Sequence, residues 1–274
     1  MKPELSIITV GYKSEKTIGP FLDSIQKNRD GIAKEIIVVD NYPADRGAQI
    51  AEKHPLKPKV IRNTENVGFS IAINQGIKVA RGEYILIINP DTRLIGSALK
   101  YLLSFAKKTP KLGAVAPRLL NNDGQIQPSC FKFPTVWNAF KYYFLGCRNC
   151  FNKYNPGDKI TQVDVAVMAA FLVPKSTLDY VGGLDETYFL YYEDVEFCRR
   201  LHHFGLPVYY LPQAKVQHAH GVSGNFVSHL KSPLAKSAQI YHGVVGSAFL
   251  NSVLWAGQKW QKLGRILRHL LPQN

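Results

Sequence analysis

Acidic residues are absent from two long parts of this chain. Residues 197–274 contain no Asp or Glu yet hold nine Lys or Arg and seven of the eight histidines. Residues 124–157 also lack acids while carrying Lys132, Lys141, Arg148 and Lys153. Lysines scattered over a solvated surface do not explain acids withheld in blocks. The net charge of +14 therefore points to an anionic partner, either nucleic acid or an anionic membrane surface. Two glycine-rich signatures are missing as well, Gly-x-x-x-x-Gly-Lys and Gly-x-Gly-x-x-Gly after a strand, which excludes the usual P-loop and dinucleotide fingerprints. Cysteine is sparse. Cys130, Cys147, Cys150 and Cys198 include a single Cys-x-x-Cys with no second pair at a finger-like spacing, which fits free thiols in a reducing compartment better than a zinc site or a disulfide framework. Long apolar runs are lacking too: MKPELSIITVGYKSEK has an apolar run of only about eight residues, no small-residue cleavage site and a following lysine, so it reads as a first strand and not as an export signal.

What is present is a chain of 274 residues with 46% hydrophobic content, enough for one large domain or for a domain with an appendage. Apolar runs at 5–12, 35–41, 59–63 and 83–91 alternate with helical spacing. Ile18, Phe21, Leu22 and Ile25 form an i, i+3, i+4, i+7 stripe, and GFSIAINQGIKVARG after Asn66 reads as another helix. Strands that are apolar on both faces and alternate with helices predict an α/β fold with a mostly parallel central sheet flanked by helices. Ligands of such sheets sit beyond the carboxyl ends of the strands, where Tyr12, Asp40 and Asp91 fall.

Asp91 follows YILIINP, so Pro90 fixes the backbone just before it, and Arg93 comes next but one. A hard oxygen ligand beside a cation suits a divalent metal that holds phosphates. Asp40 after IIVV shares the strand-end position, which serves equally to cap a helix or make a turn. Residues 158–196 reverse the charge bias, with eight acids against two lysines. There TYFLYYEDVEFCRRLHHFG has a helical phase that puts Phe197, Cys198, Leu201 and Phe204 on one face with Asp194 at its N-terminal end. Burial raises the pKa of an inward carboxylate and a helix N-terminus lowers it, opposing influences that can tune a general base. The same position also suits a carboxylate that satisfies helix-start N–H groups. Glu196 meets Arg199 and Arg200 at i+3 and i+4 and reads as a surface ion pair. His218 and His220, two apart on a predicted strand, share a face and either complete a metal site with Asp91 or serve structure.

The tail AFLNSVLWAGQKWQKLGRILRHLL (248–271) has two-faced helical periodicity. Trp260, Leu263, Ile266, Leu267, Leu270 and Leu271 share one face, and Lys259, Lys262, Arg265, Arg268 and His269 spread around the other. The uncharged run 243–257 is 15 residues long and interrupted by Asn251 and serines, too short and polar for a membrane span. An amphipathic basic helix lying on an anionic membrane is therefore expected, with the aromatic stretch CFKFPTVWNAFKYYFLG in the same contact. The competing expectation is that its apolar face docks on the rest of the chain or on a second subunit.

Taken in order, TVGYKS, IIVVDNYPAD, ENVGF, INPDTR, GGLDETYFLYYEDVEFCRRL and VQHAHGVS resemble glycosyltransferase family 2, in particular its bacterial rhamnosyltransferase-like branch. The resemblance implies a GT-A fold, a nucleotide-diphosphate sugar donor of the dTDP or UDP type, and Mg²⁺ or Mn²⁺ as cofactor. It implies inverting transfer of a sugar, rhamnose as first expectation, to a saccharide or lipid-linked saccharide in surface polysaccharide synthesis. It makes Asp194 the catalytic base and Asp91 a metal ligand, with His218 and His220 as further candidates. It places Thr9, Tyr12, Asp40, Asn66, Gly68 and Arg93 at the donor, Asp40 against the nucleobase. Lys13 stands where the family has asparagine, and Tyr42-Pro43 where it has a small residue and serine, both bordering the donor pocket. The expected division is a catalytic domain over 1–225 and a helical, membrane-associating extension over 226–274, peripheral on the cytoplasmic leaflet. Nucleic acid is not an expected partner, since strand-tip acids would repel a polyanion in a non-catalytic nucleic-acid-binding protein. A nucleotidyltransferase would need a glycine-rich, lysine-containing loop that TVGYKSEKT does not match.

Overall fold

The β-branched residues of the first two apolar runs form the centre of a sheet: β1 (Leu5–Gly11) is buried at every position and β2 (Lys34–Asp40) from Ile36 onward. The computed structural model describes residues 2–28, 30–219 and 232–270, with side chains through 262. Between and after these strands come α1 (Ile18–Lys27), α2 (Gly47–Lys53), β3 (Lys59–Arg62), α3 (Phe69–Val79) and β4 (Tyr84–Ile88). The strands β3, β2, β1 and β4 lie side by side and parallel, in a register that sets Gly11 beside Asp40 and Ile8 beside Ile87. The carboxyl ends of β1, β2 and β4 therefore open on one edge. Helix α1 buries Ile18, Phe21, Leu22 and Ile25, the stripe its spacing predicts.

Beyond β4 follow β5 (Thr92–Ile95), α4 (Ala98–Lys108), β6 (Ala114–Leu120), β7 (Ile126–Gln127), β8 (Cys130–Phe131), α5 (Val136–Phe144), β9 (Thr161–Val163), β10 (Val165–Ala166), β11 (Ala170–Pro174), α6 (Lys175–Val181), α7 (Glu193–His203) and β12 (Val208–His218). Strand β11 inserts antiparallel between β4 and β6, β12 runs parallel to β6, and β5 closes the edge antiparallel to β12. The result is a mixed α/β sheet whose first four strands are parallel as expected. Burial on both faces makes a strand apolar throughout and leaves no mark of its direction. Alternate residues feed two cores: Leu5, Ile7, Val38 and Leu86 pack with α1 and α4, while Ile8, Val10, Ile37 and Val39 pack with α3 and α7. Each fully buried Leu or Ile contributes about 1.5–3 kcal/mol.

The last element, α8 (Pro233–Leu270), is broken at Gly243, whose φ of 70° and ψ of 171° are not helical. Its first part rests on the segment leading into α7: Ser237 Oγ donates to Leu190 O at 2.9 Å, and the Tyr241 and His242 rings lie 5.4 and 5.8 Å from that of Tyr192. Its second part lies along α5. Leu250 is buried, Gly257 approaches Tyr143 too closely for any Cβ, and Trp260 meets Phe144. The side chains of Leu263, Arg265, Ile266, Leu267, Arg268, His269 and Leu270, and all of Leu271, lie outside the described residues.

One expectation about cysteine is corrected. Cys147 and Cys150 form a disulfide, Cα atoms 5.5 Å apart, and only Cys130 and Cys198 are free thiols, both buried. The turn after α5 explains the pairing, because Cys147 N donates to Lys141 O and Cys150 N to Cys147 O, folding the four residues tightly enough for the sulfurs to meet.

Candidate active site

The turn Asn89-Pro90-Asp91 carries the chain from β4 into β5. Thr92 N and Thr92 Oγ1 both donate to Asn89 O, which holds the turn tight. Ala219 N donates to Asp91 O, tying the turn to the end of β12, so Asp91 and His218 face each other with Oδ1 and Nε2 3.5 Å apart. Asp91 Oδ1 is buried and has no hydrogen-bond partner among the described residues, and burial pushes the carboxyl pKa up to about 6. The other ring nitrogen of His218, Nδ1, lies 2.8 Å from Gln127 Oε1. The Gln127 amide is itself oriented by Nε2 donating to Asn121 Oδ1 at 3.1 Å. A carbonyl oxygen only accepts, so Nδ1 carries a proton, and Nε2 is the ring nitrogen on the Asp91 side. A buried carboxylate oxygen with no hydrogen bond among the described residues, an imidazole nitrogen facing it and an outer hydrogen bond that orients the ring together fit a divalent cation. Among the described residues no third His, Cys, Asp or Glu completes a cluster with them, and His220 lies outside the described residues. Beside Asp91 opens a cleft of about 310 Å³ lined by Lys16, Thr17, Arg93, Asn122 and Gln217 among others. Arg93 is exposed there and forms no ion pair among the described residues.

On the other side of β1, Asp40 is 2% exposed and its pKa is raised by burial against the opposing pull of the Tyr42 N–H that it accepts. The following residue, which the motif reading passed over, organises this side. Asn41 Nδ2 donates to Asn66 Oδ1 at 2.8 Å and to Gly68 O at 3.2 Å, while Asn41 Oδ1 accepts from Asn63 Nδ2 and Val67 N at 3.1 Å. Asn66 and Gly68 are thus brought to Asp40 through one amide. Gly68 has a φ of 89°, and a Cβ there would stand 2.8 Å from Phe189 O, whose other neighbour is Phe69 N at 2.7 Å. Thr9 is fully enclosed within β1, its Oγ1 without a hydrogen bond among the described residues, whereas Tyr12 beyond its end is half-buried. The two departures from the family pattern meet here: Lys13 Nζ lies 5.6 Å from the ring centres of both Tyr12 and Tyr42, which contact each other edge-on.

The third group opens α7. Tyr191 and Tyr192 both take left-handed backbone, φ 69° and 67°, an arrangement that costs non-glycine residues roughly 1–2 kcal/mol each and turns the chain sharply into the helix. Glu193 and Asp194 follow at the helix N-terminus. Asp194 keeps an edge at the surface, accepts the Val195 N–H at 2.8 Å, and has its pKa raised by burial against the opposing charge of Lys153. Glu193 is 9% exposed, its Oε2 has no hydrogen-bond partner among the described residues, and its pKa is raised by burial and by the neighbouring Asp194. Sequence reasoning singled out Asp194 and missed Glu193, although Glu193, Phe197 and Leu201 share the i, i+4, i+8 row that marks the buried face. The surface reading of Glu196 is corrected. It is 5% exposed and paired with Arg200 at 2.7 Å, while Arg200 also donates to Val181 O and Gly183 O and so fastens α7 to the end of α6. Phe204 departs from the buried face and is exposed.

The profile described as glycosyl transferase family 2 matches residues 6–153. The chain is 26% identical over 250 residues to an N-acetylglucosaminyl-diphospho-decaprenol L-rhamnosyltransferase of Mycobacterium tuberculosis, covering 84% of this chain and 81% of that one. It is 29% identical over 247 residues to rhamnosyltransferase WbbL of Escherichia coli K12, covering 82% and 89%. Among solved structures, the mannosyltransferase PcManGT of Pyrobaculum calidifontis, in complex with GDP-Man and Mn²⁺, superposes with a TM-score of 0.58 at 17% identity, over 97% of this chain and 81% of that one. This last likeness concerns the fold alone.

Proposed function

Since this chain belongs to glycosyltransferase family 2, we propose that it transfers a sugar, rhamnose first, from a dTDP- or UDP-type donor, with inversion, to a lipid-linked saccharide in surface polysaccharide assembly. The rhamnosyltransferase names of the two relatives support the sugar, and the decaprenol in one of those names supports the lipid-linked acceptor. In this reading residues 1–225 are the catalytic domain, 226–274 the extension, and the enzyme works peripherally at the cytoplasmic face of an anionic membrane. The observation that carries it is the buried Asp91 Oδ1, without a hydrogen bond among the described residues, facing a His218 ring that Gln127 orients.

Asp91 and His218 are the residues that would hold Mg²⁺ or Mn²⁺, with His220 a further candidate. The bound ion supplies positive charge to a departing nucleoside diphosphate. The chain's own groups do the rest. Asp40 and the Asn41 amide fix the nucleotide side, with Tyr12, Asn66 and Gly68 around them, and Lys16 and Arg93 line the cleft where phosphate charge accumulates. Asp194 accepts the proton of the acceptor hydroxyl as that oxygen attacks the anomeric carbon from the face opposite the leaving group. Burial raises its pKa against the opposing charge of Lys153, which makes it a stronger base once ionised. The test is turnover of a panel of nucleotide sugars with and without Mn²⁺. Metal-dependent consumption of one donor, lost in Asp91→Asn, is the expected result, and metal-independent turnover in both proteins would overturn the reading.

A further inference from the structure

Helices α5 and α8 share an outer surface that nothing in the transfer chemistry uses. On α8 the inward row is Leu250, Val253, Leu254 and Gly257, set against α5, and the opposite row stands out to solvent. That outer row places Val244, Val245, Phe249 and Trp255 in water at 69%, 69%, 63% and 66% exposure. It ends in the exposed Lys259 and Lys262. Helix α5 contributes Trp137, 60% exposed and stacked on Phe140, and Leu145 follows at its end. Lysine ammoniums sit over the tryptophans, Lys141 Nζ 5.9 Å from the Trp137 ring and Lys259 Nζ 5.9 Å from Trp255. Neither helix contains an acid.

We propose that this surface is where the protein docks on an anionic phospholipid bilayer, with the aromatic and aliphatic side chains entering the headgroup layer and the lysines meeting lipid phosphates. The proposal rests on the reading of a lipid-linked acceptor and names the face that meets the lipid. Indole rings beneath lysines suit an interface that is apolar on one side and anionic on the other. The occupant follows from charge. A second copy, related by a twofold axis, would set Lys141, Lys259 and Lys262 against the same lysines with no acid on either helix to offset them. No described helix is long and apolar enough to cross a membrane, so the contact is one of lying on the surface. The position suits an acceptor held in the bilayer. The first part of α8 touches Tyr192 just before Glu193 and Asp194, and the loop after α5 carries the Lys153 charge felt by Asp194.

The experiment is sedimentation of the full chain with vesicles of phosphatidylglycerol and phosphatidylcholine in equal parts, and of phosphatidylcholine alone, with tryptophan emission recorded. Binding to the anionic vesicles only, with a blue shift, is expected. Lys259→Ala and Lys262→Ala should weaken it about fivefold each at low salt. Phe249→Ala with Trp255→Ala should weaken it at least as much and leave the melting temperature unchanged, since both side chains are largely in solvent. Wild-type protein that ignores anionic vesicles, binds both vesicle types equally, or forms a dimer whose tryptophans are already blue-shifted would overturn the proposal. Equal or tighter capture by duplex DNA at physiological salt would do the same. Donor consumption with a water-soluble acceptor, measured in parallel, separates this outcome from failure of the transfer reading, because these four side chains lie outside the catalytic machinery.

Discussion

At the scale of single residues, Asp91 is an acid the fold holds against its own preference. Its pKa in the metal-free protein rises to about 6, so the folded state binds the proton more tightly than the unfolded chain does. The sign follows: the ionised carboxylate destabilises the metal-free fold above about pH 6, and that penalty vanishes as the pH falls toward the unfolded value near 4. Asp91→Asn should therefore raise metal-free stability at pH 8 by up to about 3 kcal/mol, lose that gain near pH 4, and abolish Mn²⁺-dependent donor binding. Urea unfolding at the two pH values and calorimetric titration of donor check this, and a destabilised variant at pH 8 would show that the carboxylate has a stabilising partner. Asp194→Asn should keep donor affinity and lose transfer by roughly 10²-fold or more, whereas Glu193→Gln, which removes the orphaned acid, should leave the larger share of activity. Steady-state rates for the pair decide which carboxyl is the base. Helical phase brought Asp194 to notice, and the structure sets it at the start of α7 with an edge at the surface. Glu193 lies in the row of Phe197 and Leu201, but the left-handed turn at Tyr191 and Tyr192 that buries it leaves no period in the sequence, and Asn41 was hidden because an amide that organises a loop has no periodicity to betray it.

At the scale of elements, the apolar runs placed β1 to β4 and α1 and α3 correctly, since burial on one or both faces writes a period into the sequence. Strand direction and neighbour order did not show, because the antiparallel entry of β11 depends on where a long excursion through α5 returns. The ion pair in α7 illustrates the same limit. The spacing of Glu196 and Arg200 was visible, but its burial comes from the end of α6, far away in sequence, which supplies the carbonyls. Arg200→Ala should consequently cost about 3–5 kcal/mol, the range for leaving a buried partner charge uncompensated, rather than the few tenths of an exposed helical pair. Chemical denaturation measures this directly. Gly68→Ala should be comparably harmful for a different reason, since a positive φ and a Cβ pressed on Phe189 O would push apart the donor side and the segment that enters α7. Loss of donor affinity and transfer together is the expected signature.

At the scale of the whole molecule, the carboxyl edge of the sheet gathers the acids while α5 and α8 gather uncompensated cations. Exposed charges interact over about a Debye length, so salt distinguishes the two. Transfer to a vesicle-embedded acceptor should fall steeply between low and physiological salt, and transfer to a soluble acceptor should hardly change. Parallel dependence of both rates would place the salt-sensitive step at the donor. The charge asymmetry was plain in the sequence, but the division of labour within α8 was not, because nothing about Gly243 in an otherwise helical run announces a break. That break makes α8 two arms of unequal length, about 15 Å from Pro233 to His242 and about 40 Å from Val244 to Leu270 at 1.5 Å per residue. A continuous helix would act as a rigid shaft, and any roll of its long end would turn Tyr241 and His242 against Tyr192. A single glycine between the arms, in a backbone region open to little else, lets each arm take its own direction, with Ser247 Oγ donating to Ala238 O across the joint. The long arm is thereby laid along α5 while the short arm keeps its grip on the turn that leads into the acids of α7.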